Sequence, residues 1–137
     1  MPLNWEKKLP MKLKILNQKL LVACCLLLVA LLGGFFRFYK LDWGQGLFTH
    51  PDEYHIVGSV SQLSFPAQMN PHFFSYGTVT IYLIYFTKEL LSAISPFLIG
   101  RFYSALFSTL TILLIYKISR KILPQNYALL AAFLTAI

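Results

Sequence analysis

The chain has 137 residues, the length of one small domain, yet 57% of them are hydrophobic and only 12% are charged, against about 25% charged in an average soluble domain. That balance excludes disorder, collagen, a disulfide scaffold and an ordinary cytosolic enzyme. The formal net charge of +7 is compatible with nucleic acid as a sum, but the cations stand beside apolar runs, which is the positive-inside pattern of a membrane protein; no nucleic-acid partner is expected.

Residues 1–19 read as a cytoplasmic basic stub, because Lys7, Lys8, Lys12, Lys14 and Lys19 face only Glu6. Residues 20–36 run without a charge between Lys19 and Arg37, at the lower end of the roughly 17–25 residues a crossing helix needs. This transmembrane helix leads outward to Phe35, Phe36, Phe38, Tyr39 and Trp43, an aromatic belt at the far interface. Gly33 and Gly34 are followed by bulky aromatics and Arg37, which suits a signal anchor and not a cleavage site. Cys24 and Cys25 are adjacent inside the run, so they read as packing residues, with neither a disulfide nor a zinc site expected.

Residues 37–72 form an external loop holding Asp42, Asp52 and Glu53 from a total of five acids, together with all three histidines, His50, His55 and His72. Pro51 at a first helical position, capped by Thr49 or His50, predicts a helix over about 51–65 that Pro66 ends. Ile56, Val57, Val60 and Leu63 fall on one side of it and Ser59, Ser61, Gln62 and Ser64 on much of the other, as in an amphipathic helix on a membrane surface. Asp52 and Glu53 have a plain structural reading in the first turn of this helix, where Thr49 with Asp52 makes a capping box and the helix dipole favours acids. His50, Asp52, Glu53 and His55 are also metal-ligand types, but their spacing matches no established helical ligand pattern. No metal site is assigned, and a divalent metal stays open as a cofactor.

Residues 73–91 pose a parity question. The loop before them is expected outside, whereas Lys117, Arg120 and Lys121 mark residues 117–126 as a cytoplasmic loop, so an odd number of crossings must lie between. Residues 97–116 supply one transmembrane helix. Residues 73–91, rich in Ser, Thr and Tyr, are therefore expected to be an interfacial or re-entrant helix, with a crossing as the alternative. Residues 127–137 read as the start of a further transmembrane helix, cut short, and the chain as the N-terminal piece of something longer. The expected fold class is all-α, with polytopic transmembrane helices and an external loop containing membrane-surface helices, in the cell (plasma or inner) membrane with a cytoplasmic N-terminus.

A span ending in Arg37-Phe38-Tyr39 and Leu41, followed by His50-Pro51-Asp52-Glu53, then Asn70-Pro71-His72-Phe73 and Gly100-Arg101-Phe102 with Ser104-Ala105-Leu106, resembles the start of the GT-C class of polytopic lipid-carrier-dependent glycosyltransferases. The nearest group is the protein mannosyltransferase and aminoarabinose-transferase-like one. The resemblance implies transfer of a sugar from a polyprenyl phosphate to an acceptor on the external face, with inversion. It places the acceptor's base at Asp52, with Glu53 supporting it, and implies that the chain alone is inactive. Chemically one carboxylate suffices, because the phosphate leaves as a stable anion and needs no general acid, unlike the two-carboxyl glycosidase arrangement. The departing phosphate needs positive charge, for which Arg37, Lys40 and Arg101 are candidates and His72 a weaker one. His50, Arg101, His72 and Arg37 are thus the expected substrate-binding residues, while interface snorkelling is the alternative for Arg37 and Lys40. Tyr54, Phe73, Phe74 and Tyr76 are interface anchors or platforms for a sugar ring or prenyl chain. The sugar-phosphate donor and membrane lipid are the implied partners, the acceptor being unidentified. The competing class is a small non-catalytic membrane protein or subunit whose loop acids only cap a helix.

Overall fold

In the computed structural model the described residues are 11–44 and 50–137, with side chains described from residue 17 onward. The proposed Thr49 cap and most of the basic stub lie outside them. The order is α1 (Met11–Phe38), α2 (Pro51–Ser61), α3 (Thr78–Leu90), α4 (Pro96–Ser119) and α5 (Gln125–Ala136), with no strand among the described residues. Two of these helices contain segments long and apolar enough to cross a membrane, Asn17–Phe38 in α1 and Pro96–Ser119 in α4. Only 6% and 17% of their apolar windows are buried within the protein, so Leu20, Leu28, Leu31, Leu110 and Leu114 stand exposed. A soluble protein's core helix is buried instead, and exposed apolar surface of this extent suits a lipid or protein neighbour. The 13 residues of α3 rise only about 20 Å as a helix, against a hydrocarbon core of about 30 Å.

The chain divides into two compact units, one drawing on α1 up to Phe36 and on Thr109–Ile137, the other comprising Arg37–Ser108. In the first unit, Ile112, Ala132 and Ala136 are fully buried, with Leu26, Val29 and Tyr116 packed around them. Gly33 is a point of close approach. A Cβ there would collide with the Ile112 side chain and lie 3.0 Å from the Ala136 Cβ, so the backbones meet only because the side chain is missing. Ala128, Ala132 and Ala136 recur every fourth residue and are 0–1% exposed, giving α5 the flat seam that such an approach needs.

The second unit is built around Val60, Leu63, Ile81, Ile84, Tyr85 and Ile99. Its α2 starts at Pro51, whose missing N–H is no loss at N1. It stops at Ser61, four residues short of the expected end near 65. Two causes are visible. Leu63 turns inward to join the core at 7% exposure, and the Phe65 N–H, which a helix would spend on a carbonyl, donates to the Tyr85 hydroxyl at 2.9 Å. A tight turn closed by Ser64 and Gln68 follows. The expected helical stretch from 73 is also shortened, because Gly77 has φ +75, a left-handed conformation that side chains oppose, and α3 begins only after it. Gly100 of α4 lets Ile84 of α3 approach, a Cβ there falling 3.2 Å from the Ile84 Cδ1.

Candidate functional site

Asp52 and Glu53 both occupy the first turn of α2, but successive helix residues are turned about 100° apart, and the two acids meet different partners. Glu53 faces α4, where its Oε1 accepts from Arg101 Nε and its Oε2 from Arg101 Nη2, both at 2.8 Å. This two-point geometry is the strong form of an arginine–carboxylate pair. Arg101 also donates through Nη1 to the Leu41 carbonyl at 3.0 Å, and its guanidinium lies 4.6 Å over the Trp43 ring. The whole side chain is inside the protein, with the residue 9% exposed.

Asp52 keeps a half-exposed side chain, 45% accessible, with His50 Nδ1 at 3.7 Å. Hydrogen bonding to this carboxylate chiefly, then desolvation and the carboxylate's charge, raises the Tyr76 phenol above its ordinary value. His50 is the helix cap by position, with an extended backbone, but its side chain makes no capping hydrogen bond. His50 as a capping side chain is therefore set aside.

A cavity of about 400 Å³ opens beside the Glu53–Arg101 pair. Its polar lining is Arg37, Glu53, Thr80, Arg101, Ser104 and Ser108, set among Ile56, Val57, Ile84, Phe97 and Ala105. The Arg37 Nε donates to the Ser108 Oγ at 2.6 Å, so this arginine is turned to the cavity wall and is not simply reaching for an interface. Of the expected site residues, Arg37, Glu53 and Arg101 share the cavity, Asp52 and His50 form a second group with Tyr76, and His72 stands apart. The last is exposed, at φ 51, with its N–H donating to the Asn70 side chain at 3.1 Å and its ring 3.1 Å from the Gln68 amide. His55 stacks on Phe73 with centroids 5.9 Å apart. Among the described residues no group of three or more His, Cys, Asp or Glu side chains is placed to hold a metal ion.

From the sequence, Thr80, Ser104 and Ser108 had no expected role in the site. For the two serines a signal was present: with Ala105 they follow Arg101 at the i+3, i+4 and i+7 positions of one helix face. Trp43 was read only as part of the aromatic belt, and nothing in the sequence links it to Arg101. Neither family models nor curated proteins nor solved structures match this chain.

Proposed function

We propose that this chain carries the acceptor-activating acid of an integral-membrane, multi-pass glycosyltransferase of the GT-C kind, with its N-terminus in the cytoplasm of a cell that bounds it by a plasma or inner membrane. The donor is a polyprenyl-phosphate sugar and the acceptor an external hydroxyl compound. The observation that carries this reading is the division of labour between adjacent acids. Glu53 is consumed by Arg101, while Asp52 keeps an accessible carboxylate one residue from the cavity wall.

The chemistry follows from these groups. Asp52 takes the proton of the acceptor hydroxyl as the new C–O bond forms on the face of the sugar opposite the phosphate, and the bond to the phosphate breaks, releasing a prenyl phosphate anion. Arg37, with Thr80, Ser104 and Ser108 beside it, supplies the cation and hydroxyl donors suited to that anion, and the apolar remainder of the lining suits the first part of a lipid chain. The test is transfer from a polyprenyl-phosphate sugar in membranes expressing the whole reading frame. Asp52→Asn is expected to abolish transfer and Arg37→Gln to weaken donor use; an unimpaired Asp52→Asn enzyme overturns the assignment.

The reading as a non-catalytic membrane subunit draws on one observation of its own. The Glu53–Arg101 pair, anchored at Leu41 and Trp43, is also the strut a purely structural loop would use. Under that reading Asp52→Asn leaves every membrane phenotype intact, whereas Arg101→Ala does not.

A further inference from the structure

We infer that Arg101 is a positioning residue that sorts the acid pair: by occupying both oxygens of Glu53 it leaves Asp52 as the single carboxylate presented to an acceptor. The inference rests on the reading of Asp52 as the base, and it replaces the expected role of Arg101 as a phosphate ligand.

Four observations converge on it. The guanidinium is held from three sides, by Glu53, by the Leu41 carbonyl and by the Trp43 ring face, so it has a fixed place and is not a mobile clamp waiting for an anion. Its pair with Glu53 is two-point, a geometry in which the planar fork of arginine cannot be copied by the single ammonium of lysine. Glu53 is drawn toward α4, its side chain 23% accessible, while that of Asp52 is 45% accessible. Finally, the two acids are neighbours in the first turn of one short helix, so a fixed Glu53 also fixes the rotation of that turn and with it the direction of Asp52. Without Arg101, two adjacent carboxylates of like charge would repel each other and compete for the same acceptor hydroxyl.

The experiment has two arms, run on the product of the whole reading frame in lipid nanodiscs and in native membranes. In the first, carboxyls are modified with a water-soluble carbodiimide and glycinamide and located by mass spectrometry, with the exposed Glu89 as an internal reference for reagent dose. Wild type is expected to react at Asp52 and to be protected at Glu53; Arg101→Gln unmasks Glu53 several-fold, and Arg101→Lys gives an intermediate pattern. Equal modification of Asp52 and Glu53 in wild type, or an unchanged pattern in Arg101→Gln, overturns the inference. Because loss of folding would also unmask Glu53, each variant must keep a cooperative thermal unfolding transition, and Glu53→Gln, which relieves the pair from the other side, must leave Asp52 modification in place.

In the second arm, sugar transfer is measured against donor concentration. Misplacement of a base of this kind lowers kcat by about 10²-fold, with the donor KM unchanged, and Arg101→Lys recovers part of the loss. A raised donor KM with unchanged kcat in Arg101→Gln means that Arg101 holds the phosphate, and overturns the positioning role. Absence of transfer by wild type would defeat the glycosyltransferase reading and leave the modification pattern as the judge of Arg101.

Discussion

Around Gly33 the protein packs by leaving side chains out, whereas around Glu53 it packs by putting charges in. The first unit closes on Gly33, Ala132, Ala136 and Ile112, small or plain apolar surfaces brought together by fit, the packing mode favoured where lipid removes any hydrophobic drive between helices. The second unit surrounds its apolar core with directed bonds: Arg101 to Glu53, Phe65 to Tyr85, Tyr82 to the Met69 carbonyl at 2.9 Å, and Thr87 to Tyr103 at 2.7 Å. Packing by fit tolerates whatever preserves shape. Directed bonds specify where particular polar atoms stand, which is the requirement of a site, and the second unit is where every candidate functional residue lies.

The contrast can be broken most sharply by Asp52→Asn. If the second unit is a site, this change lowers transfer by about 10²–10⁴-fold, the range for loss of a general base, with the thermal unfolding midpoint in nanodiscs unchanged. Next in size is Arg101→Ala, expected to destabilise by about 2–3 kcal/mol in thermal or denaturant unfolding. That is less than for a fully buried pair, because the Glu53 side chain keeps 23% exposure and water recovers part of its charge.

In the first unit, Gly33→Leu is expected to cost about 1–3 kcal/mol by overpacking against Ile112 and Ala136, with the carboxyl modification pattern of Asp52 and Glu53 unaltered. The neighbouring position has the opposite sign. A Cβ at Gly34 would sit 3.5 Å from Thr109 Cγ2, an ordinary contact, so Gly34→Ala is expected to stabilise by up to about 1 kcal/mol through helix propensity. Equal effects at the two glycines would show that the close approach at Gly33 does not hold the unit together.

The smallest effect concerns Tyr76. Hydrogen bonding to Asp52 chiefly, with desolvation and the carboxylate's charge, favours the neutral phenol, so its ionisation is displaced to higher pH than the ordinary value of 10.0. In a difference titration of tyrosinate absorbance, Tyr76→Phe is expected to remove a component from the alkaline end, and Asp52→Asn to move that component back toward lower pH.

Much of this architecture was written in local pattern. Lys19 and Arg37 bracket an apolar run, so the first span could be read without any knowledge of its neighbours, as could the start of α2 at Pro51. The end of α2 could not. Ser61 to Phe65 carry no stop signal before Pro66, and the helix ends because Leu63 is wanted in a core assembled from α3 and α4. The candidate site divides in the same way. Two adjacent acids with few rivals in the chain drew notice by scarcity, and Ser104 and Ser108 were open to discovery by their helical spacing from Arg101.

What the sequence determined by itself was therefore the short-range part: apolar segments of spanning length and a helix start marked by the adjacent acids Asp52 and Glu53. The tertiary structure alone decided which acid is engaged. Glu53 and Arg101 are 48 residues apart, and a charge pair at that separation leaves no trace in periodicity, capping or local propensity. It exists only because helix rotation turns Glu53 and not Asp52 toward α4, and because α4 brings a guanidinium to meet it.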